Sequence, residues 1–374
     1  MIKNYLMTPG PTPIPEDILL SMAKPIIHHR TKDFKNMFAE TISLSKKVFQ
    51  TTNDIVLFSS SGTGAMEASV SNILDAKDSA IFINAGKFGE RWGQIIKAFD
   101  ANPIEIKYEY GDYAKPDDIK KELDKNPNIK AVFMQASETS TGVYHPIDEI
   151  GKMIKENYPE VIFVVDGITA IGAIDVKTDD FGIDIMITGS QKALMLPPGL
   201  SLLSVSEKAK KTIKNNKNRR YYFDILGELN ADAGHFTPAI TIIEGLNLSL
   251  KRILNEGLEN VFKRHALLAL SVQEAAKAIN LELFAKRPAN SLTAIKSPNN
   301  INSGDIINLM KSYGVSVSNG QGSMKGKIIR IAHLGYFDKP DMLMTISALE
   351  MALKKLDANS NFSGGIKKAM EILS

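Results

Sequence analysis

The stretch Asp184-Ile-Met-Ile-Thr-Gly-Ser-Gln-Lys192 is the most informative part of this chain. A short apolar run, typical of a buried strand, ends in small polar residues and then in a lysine. The next segment, Ala193-Leu-Met-Leu-Pro-Pro-Gly199, is apolar and rigid. Such surroundings lower the pKa of an amine and favour its reaction with a carbonyl group to form a Schiff base. Lys192 is therefore a candidate nucleophile, and an ordinary surface lysine at a strand end is the alternative.

Outward from this stretch, short apolar runs alternate with amphipathic segments. The apolar runs are Ile55–Phe58, Ala80–Ile83, Ala131–Met134, Val161–Val165, Ile185–Ile187 and Leu202–Val205. Helical periodicity falls between them, at about 64–74, 89–99, 116–124 and 147–157. Continuous apolar strands separated by helices predict an α/β fold with a mostly parallel sheet covered on both faces.

The two ends of the chain have a different pattern. Four prolines between Pro9 and Pro15 predict an extended arm, which we place at residues 1–20. A long helical region from about 240 to Ile279, with a break at Gly257, is followed by mixed strand and helix patterns. We therefore predict a large domain over 21–255 and a small α+β domain over 256–374.

Composition excludes several classes of protein. The chain has 374 residues and a net charge of +3, which argues against a nucleic-acid-binding surface. It contains no cysteine, so disulfides, thiolate metal sites and cysteine nucleophiles are excluded. We find no signal peptide and no apolar run long enough to span a bilayer, and we expect a cytoplasmic protein without a membrane partner.

Three further features carry candidate chemistry. The turn Ser59–Glu67, with Thr63 and Gly64, follows a strand and opens a helix, so it predicts either a phosphate site or an ordinary turn. Asp166 ends a very apolar strand, where its carboxylate needs a cation such as a protonated pyridine nitrogen, unless it caps the next turn. Arg330 lies inside an apolar strand, where it predicts a carboxylate ligand or an internal salt bridge.

The joint order of these motifs resembles the class V aminotransferases, and most of all their alanine–glyoxylate or serine–pyruvate branch. The matching segments are Thr8-Pro-Gly-Pro-Thr12, Ser61-Gly-Thr-Gly64, Glu138-Thr-Ser-Thr-Gly142, Val165-Asp-Gly167 and Gly189-Ser-Gln-Lys-Ala-Leu194, followed by Arg330. The resemblance covers essentially the whole chain. It implies the fold type I architecture of pyridoxal 5′-phosphate (PLP) enzymes, with a seven-stranded, mostly parallel sheet, and a homodimer with composite active sites.

The resemblance also implies a role for each site residue. Lys192 forms the Schiff base with PLP, and Asp166 pairs with the pyridine nitrogen. The remaining implied contacts are Thr63, Gly64, Ala65 and Gln191 with the phosphate, Thr139 with the phenolic oxygen, Phe88 with the ring face, Thr237 with the partner subunit's phosphate, and Arg330 with the substrate α-carboxylate. Relatives often carry a tyrosine where this chain has Gly234, which puts the contact between subunits in doubt.

The activity implied is ping-pong transfer of an amino group from alanine or serine to glyoxylate or pyruvate. A cysteine desulfurase is excluded because the chain has no cysteine. A phosphoserine aminotransferase, or a broad serine/aspartate aminotransferase, remains the alternative because His28-His29-Arg30 could bind an anionic side chain. Two other classes fit less well. A nucleotide-binding dehydrogenase would need a different glycine spacing, and a non-catalytic subunit would not need Lys192, Asp166 and Arg330 together.

Overall fold

The computed structural model describes residues 3–358 and 360–374. The strands are β1 Tyr5–Leu6, β2 Asp54–Phe58, β3 Ser79–Asn84, β4 Asn102–Lys107, β5 Ile129–Gln135, β6 Ser137–Glu138, β7 Val143–Tyr144, β8 Ile162–Asp166, β9 Ile185–Gly189, β10 Ser201–Val205, β11 Leu292–Lys296, β12 Val315–Ser316, β13 Ser318–Asn319 and β14 Ile328–Ala332. The helices are α1 Glu16–Met22, α2 Lys32–Phe49, α3 Gly62–Ile73, α4 Lys87–Ala98, α5 Pro116–Lys125, α6 Ile147–Asn157, α7 Glu207–Asn215, α8 Ile225–Leu229, α9 Ile240–Glu256, α10 Leu258–Ala278, α11 Ser303–Ser312, α12 Lys339–Lys355 and α13 Gly364–Leu373.

The central sheet has seven strands in the order β2-β10-β9-β8-β5-β3-β4. Only β10 runs antiparallel to its neighbours, so the predicted mostly parallel seven-stranded sheet is confirmed. The apolar runs of the sequence locate six of these strands. The seventh, β4, lies at the edge and alternates exposed with partly buried residues, so it has no continuous apolar run to reveal it.

Side-chain alternation explains why helices cover both faces of this sheet. Along β5, Val132 and Met134 pack into one apolar cluster, and Ala131 and Phe133 pack into a second cluster on the opposite face. All four are fully buried. A strand that is apolar at every position must bury both faces, and each large side chain so buried contributes roughly 1.5–3 kcal/mol.

The C-terminal part contains a three-stranded antiparallel sheet in the order β11-β14-β13. The predicted helix break is present, because Gly257 separates α9 from α10 with φ of 84°. The sequence pattern predicts a strand over 314–317, but within it only Val315 and Ser316 pair, in parallel with β1 of the N-terminal arm. The stretch 358–365, rich in Ser, Asn and Gly, indicates a connector. Its Asn359, like the first two residues of the arm, lies outside the described residues.

The topology brings the chemically interesting residues to one edge of the central sheet. β8 and β9 end side by side, and their last residues lead directly to Gly167 and to the turn that carries Lys192. The N-termini of α3 and α4 follow β2 and β3 at the same edge. Ligands of open α/β sheets bind at this carboxyl edge. Within the described residues, no helix has the length and apolarity to cross a membrane.

Candidate active site

Lys192 lies in the turn after β9, beneath the N-terminal arm. Its Nζ donates a hydrogen bond to the carbonyl oxygen of Pro9 at 2.7 Å. Gly10 passes so close that a Cβ on it would fall 1.9 Å from this Nζ, so a larger residue there would displace the amine from its present position. Burial lowers the pKa of Lys192 to about 8, although the nearby charge of Asp166 opposes this shift. The amine is therefore partly unprotonated near neutral pH, unlike that of a solvated surface lysine.

Asp166 is the buried last residue of β8. Its Oδ1 accepts a hydrogen bond from the backbone N–H of Ile168 at 2.8 Å, so it does cap the following turn. Burial raises the pKa of Asp166 to about 7, with a further rise from the charge of Glu138, against the opposing effects of Arg91 and Lys192. One backbone donor leaves most of this carboxylate's acceptor capacity unused, as expected at a position that meets a cation.

The first turn of α3 carries the residues that the sequence predicts for a phosphate site. Thr63 and Gly64 lie in that turn, and Ser61, the residue before the helix, makes no capping hydrogen bond with its side chain. The amide oxygen of Gln191 is buried and has no partner within the described residues. A half-turn of the amide would place its NH₂ there instead. Free N–H groups of a helix N-terminus together with an unpaired amide form a site suited to an anion.

Phe88 and Thr139 are held together by Glu138, a residue to which the sequence assigned no role. The carboxylate of Glu138 is fully buried, and it accepts hydrogen bonds from the backbone N–H groups of Phe88, Gly89 and Ser140 at 3.3, 2.9 and 3.1 Å. These bonds tie the N-terminus of α4 to the loop that carries Thr139. Burial raises the pKa of Glu138, whereas its hydrogen bonds lower it.

Arg330, in the middle of β14, reaches the loop between β6 and β7. Its Nη1 donates to the carbonyl oxygen of Thr139 and its Nε to that of Asn319, both at 2.9 Å. No carboxylate forms a salt bridge with it in the described part of the chain, so the alternative of an internal ion pair is wrong. Burial lowers the pKa of Arg330 to about 10, still well above neutral, so the guanidinium stays charged.

Thr237 is the one predicted site residue that is exposed. It lines a surface cavity of about 430 Å³ together with His29 and Arg30 of the candidate anion motif. Gly234, which also lines this cavity, has φ of 96°, a conformation that a tyrosine would adopt only with strain. Gly234 thus stands at a position where the backbone favours glycine.

These residues fit PLP as a group. The aldehyde needs an amine with a lowered pKa, the pyridine nitrogen needs a buried carboxylate, and the phosphate needs a cradle of donors. Lys192, Asp166 and the first turn of α3 meet these needs at one edge of one sheet. The fold and the site together define a PLP-dependent enzyme of fold type I.

Comparison with known proteins identifies the family. A family model described as aminotransferase class V matches residues 4–336. An uncharacterized aminotransferase of Methanocaldococcus jannaschii is 40% identical over all of this chain and 98% of its own length. A serine–glyoxylate aminotransferase of Methylorubrum extorquens is 35% identical, covering 94% of this chain and 91% of its own. An L-aspartate–glyoxylate aminotransferase of Paracoccus denitrificans is 33% identical, covering 99% and 96%.

Solved structures agree with this result. The ureidoglycine–glyoxylate aminotransferase of Bacillus subtilis superposes with a TM-score of 0.94 at 27% identity, covering 100% of this chain and 98% of its own. The chain belongs to the class V aminotransferases. It is a PLP-dependent transaminase, so the alternatives of a dehydrogenase and of a non-catalytic subunit are wrong.

Proposed function

We propose that this enzyme moves the amino group of a small neutral amino acid, alanine or serine, to glyoxylate or pyruvate. The observation that carries the proposal is the state of Arg330. Its guanidinium is buried and charged, and among the described residues it bonds only to backbone carbonyl oxygens, so donors remain for one substrate carboxylate. Relatives named for serine and for glyoxylate support the same donor and acceptor.

In this proposal Lys192 carries the cofactor and then serves as the base. PLP supplies, when bound, an electron sink for the charge that develops at the substrate Cα. The amine of Lys192, with its pKa near 8, is suited to take the proton from Cα of the amino donor. In the second half of the reaction it can give a proton to Cα of the product formed from the oxo acid. The carbonyl oxygen of Pro9 gives the free amine a fixed hydrogen-bond acceptor.

The remaining residues bind and orient. Asp166 holds the ring nitrogen in its protonated form, and Thr139 and Phe88 contact the phenolic oxygen and the ring face. Thr63, Gly64, Ala65 and Gln191 bind the phosphate. Amino donor and oxo acid occupy the same Arg330 site in turn, so the kinetics are ping-pong.

We also propose a homodimer in which Thr237 contacts the phosphate of the partner subunit. Two observations support it. Thr237 is exposed rather than turned into its own site. It also lies beside Phe236, on which the exposed ring of Tyr222 stacks at 5.2 Å. An exposed aromatic group of this kind is typical of a surface that another chain covers.

A second candidate function is transamination of aspartate or phosphoserine. It is favoured by the cavity that combines His29 and Arg30, next to a salt bridge between Lys35 and Asp232, and by the relative named for L-aspartate. If the partner subunit brings this cavity to the substrate, it would bind a second acidic group.

A half-reaction panel tests both functions. Single amino acids are added to the purified protein without an oxo acid, and the absorbance band of the bound cofactor is followed. We expect alanine and serine to discharge the band fastest. Faster discharge by aspartate or phosphoserine would select the second candidate, and a protein with no cofactor band after addition of PLP would refute both.

A further inference from the structure

Arg91 contacts two residues that are proposed to bind different parts of the cofactor. It lies on α4, three residues after Phe88, and its Cζ is 4.9 Å from the centroid of the Phe88 ring. Its Nη1 donates a hydrogen bond to Oγ1 of Thr63 at 3.1 Å. One side chain therefore bridges the residue proposed for the phosphate and the residue proposed for the ring face.

The charge of Arg91 has no acidic partner. Within residues 3–358 and 360–374, no carboxylate forms a salt bridge with its guanidinium, although the side chain is half-buried. A guanidinium has five N–H donors, and the threonine hydroxyl uses one of them. A half-buried cation with spare donors, next to the N-terminus of α3, is suited to an anion at that place.

The bond from Arg91 also restricts the direction of the Thr63 hydroxyl. A hydroxyl has one hydrogen and two lone pairs. Because Arg91 occupies a lone pair of Oγ1, the hydrogen of Thr63 must point elsewhere, and it becomes available to an acceptor such as a phosphate oxygen. Bonds of this kind are stronger when one member carries a charge.

The charge of Arg91 also affects the two titratable residues that are proposed to act on the ring and the substrate. Arg91 lowers the pKa of Asp166 and that of Lys192, although burial is the main influence on each. Both effects favour the forms that the proposed chemistry needs, an ionised carboxylate and an unprotonated amine. Arg91 therefore lies within electrostatic reach of the whole cofactor site.

We propose that Arg91 is a positioning residue for the cofactor phosphate, which sets the Thr63 hydroxyl as a donor and adds positive charge beside the anion. This inference rests on the proposed phosphate contact of Thr63. A purely structural role, in which Arg91 only holds the Phe88 ring, would affect the ring and not the phosphate. The two roles are separated by comparing PLP with pyridoxal, which lacks the phosphate.

The experiment titrates the full-length protein, stripped of cofactor, with PLP and separately with pyridoxal. Arg91→Met should weaken the binding of PLP by about 30-fold, which is within the range for a hydrogen bond to a charged group, and that of pyridoxal by less than about threefold. Arg91→Lys, which keeps the charge but loses the planar fork, should fall between wild type and Arg91→Met. Lys97→Met removes an exposed charge from the same helix and should leave both constants unchanged.

A double-mutant cycle with Thr63→Val tests whether Arg91 acts through the hydroxyl. Thr63→Val should reproduce most of the loss in PLP binding, and the double variant should lose less than the product of the two single effects. If Arg91→Met does not fold, Arg91→Lys and Thr63→Val provide the same comparison of the two ligands.

Three results would overturn the inference: unchanged binding of PLP by Arg91→Met, equal losses for PLP and pyridoxal, or independent effects of Arg91 and Thr63. Failure of the proposed function would be visible separately, because the wild-type protein would then not bind PLP on Lys192.

Discussion

The buried edge of the central sheet and the exposed surface around Thr237 treat polar groups in opposite ways. At the edge, Lys192, Asp166 and Arg330 are held by backbone atoms and keep unused hydrogen-bonding capacity inside the protein. At the surface, Thr237 and His235 are exposed to solvent. A polar group without a hydrogen-bond partner costs free energy at the buried edge, whereas at the exposed surface it bonds to water and costs almost nothing.

This difference indicates which parts of the site can be formed by one chain alone. The cost of the buried groups implies that a ligand of matching chemistry belongs between them, and one chain supplies all of these buried groups. The surface around Thr237 carries no such cost, so the role proposed for it depends on a second copy. Substitutions at the buried edge and at the surface around Thr237 should therefore have separable effects, unless the two regions form one site.

The largest effect should come from Lys192→Ala. Removal of the covalent attachment point and proposed base should lower the rate of the half-reaction by several thousand-fold or more. Borohydride reduction of the wild-type holoenzyme, followed by peptide mapping, should place the pyridoxyl label on Lys192. Lys152→Ala, at an exposed ion pair, is the matched control and should behave as wild type. A label on another lysine would contradict the assignment of the buried edge.

Asp166→Asn should slow the half-reaction by at least about 100-fold, a rise of about 3 kcal/mol in the barrier, because the ring nitrogen loses its anionic partner. Single-turnover absorbance with alanine measures this rate. A variant that turns over at the wild-type rate would show that Asp166 does not support the ring.

The same substitution should stabilise the cofactor-free protein at alkaline pH. The folded-state pKa of Asp166 is raised to about 7, whereas the unfolded chain ionises near pH 4. Between these values the unfolded chain has lost a proton that the folded protein keeps, so ionisation destabilises the fold increasingly up to about pH 7, and fully above it. Asparagine removes this penalty. In denaturant titrations at pH 8, the free energy of unfolding of Asp166→Asn should therefore exceed that of wild type, and at pH 4 the two should differ little. A less stable variant at pH 8 would contradict the buried, unpaired state of Asp166.

Arg330→Ala should weaken the binding of every amino donor by about 50-fold, because all donors share the α-carboxylate and would lose a hydrogen bond to a charged group. Apparent dissociation constants from the half-reaction with alanine, serine and aspartate measure this. Arg30→Ala is the comparison from the surface cavity. It should leave alanine and serine unchanged, and a selective loss of aspartate or phosphoserine would show that the cavity belongs to the substrate site.

Most of the buried edge could be predicted from the sequence because its chemistry and its burial leave a local signature. An aspartate or a lysine that ends an apolar strand is conspicuous, and strand ends of a parallel sheet meet at one edge. Arg91 and Glu138 escaped prediction for the opposite reason. Arg91 sits among residues of ordinary pattern, and Glu138 opens a recognised motif without a role of its own. The role of each comes from contacts with residues distant in sequence, Thr63 for Arg91 and Phe88 for Glu138. The contact between Lys192 and the carbonyl oxygen of Pro9 likewise joins residues 183 positions apart.

The smallest effect, and the sharpest test of the comparison, should come from Thr237→Ala. Loss of one hydroxyl bond to a phosphate should weaken the retention of PLP by about tenfold. If Thr237 serves the partner subunit, the weakened site is the one on the other chain. Mixing this variant with an excess of Lys192→Ala under subunit exchange then pairs an intact Lys192 with an intact Thr237 across the interface.

Tight binding of PLP should therefore return in the mixture, measured by the cofactor that stays bound to Lys192 of the Thr237→Ala chains during dialysis. The matched control mixes Thr237→Ala with the double variant Lys192→Ala/Thr237→Ala, in which no chain offers the hydroxyl and no recovery is expected. If Thr237 served its own chain, neither mixture would recover, because each chain with an intact Lys192 would still lack its threonine. A fully active protein that sediments as a monomer would show that the exposed surface completes no second site and that the buried edge is the whole active site.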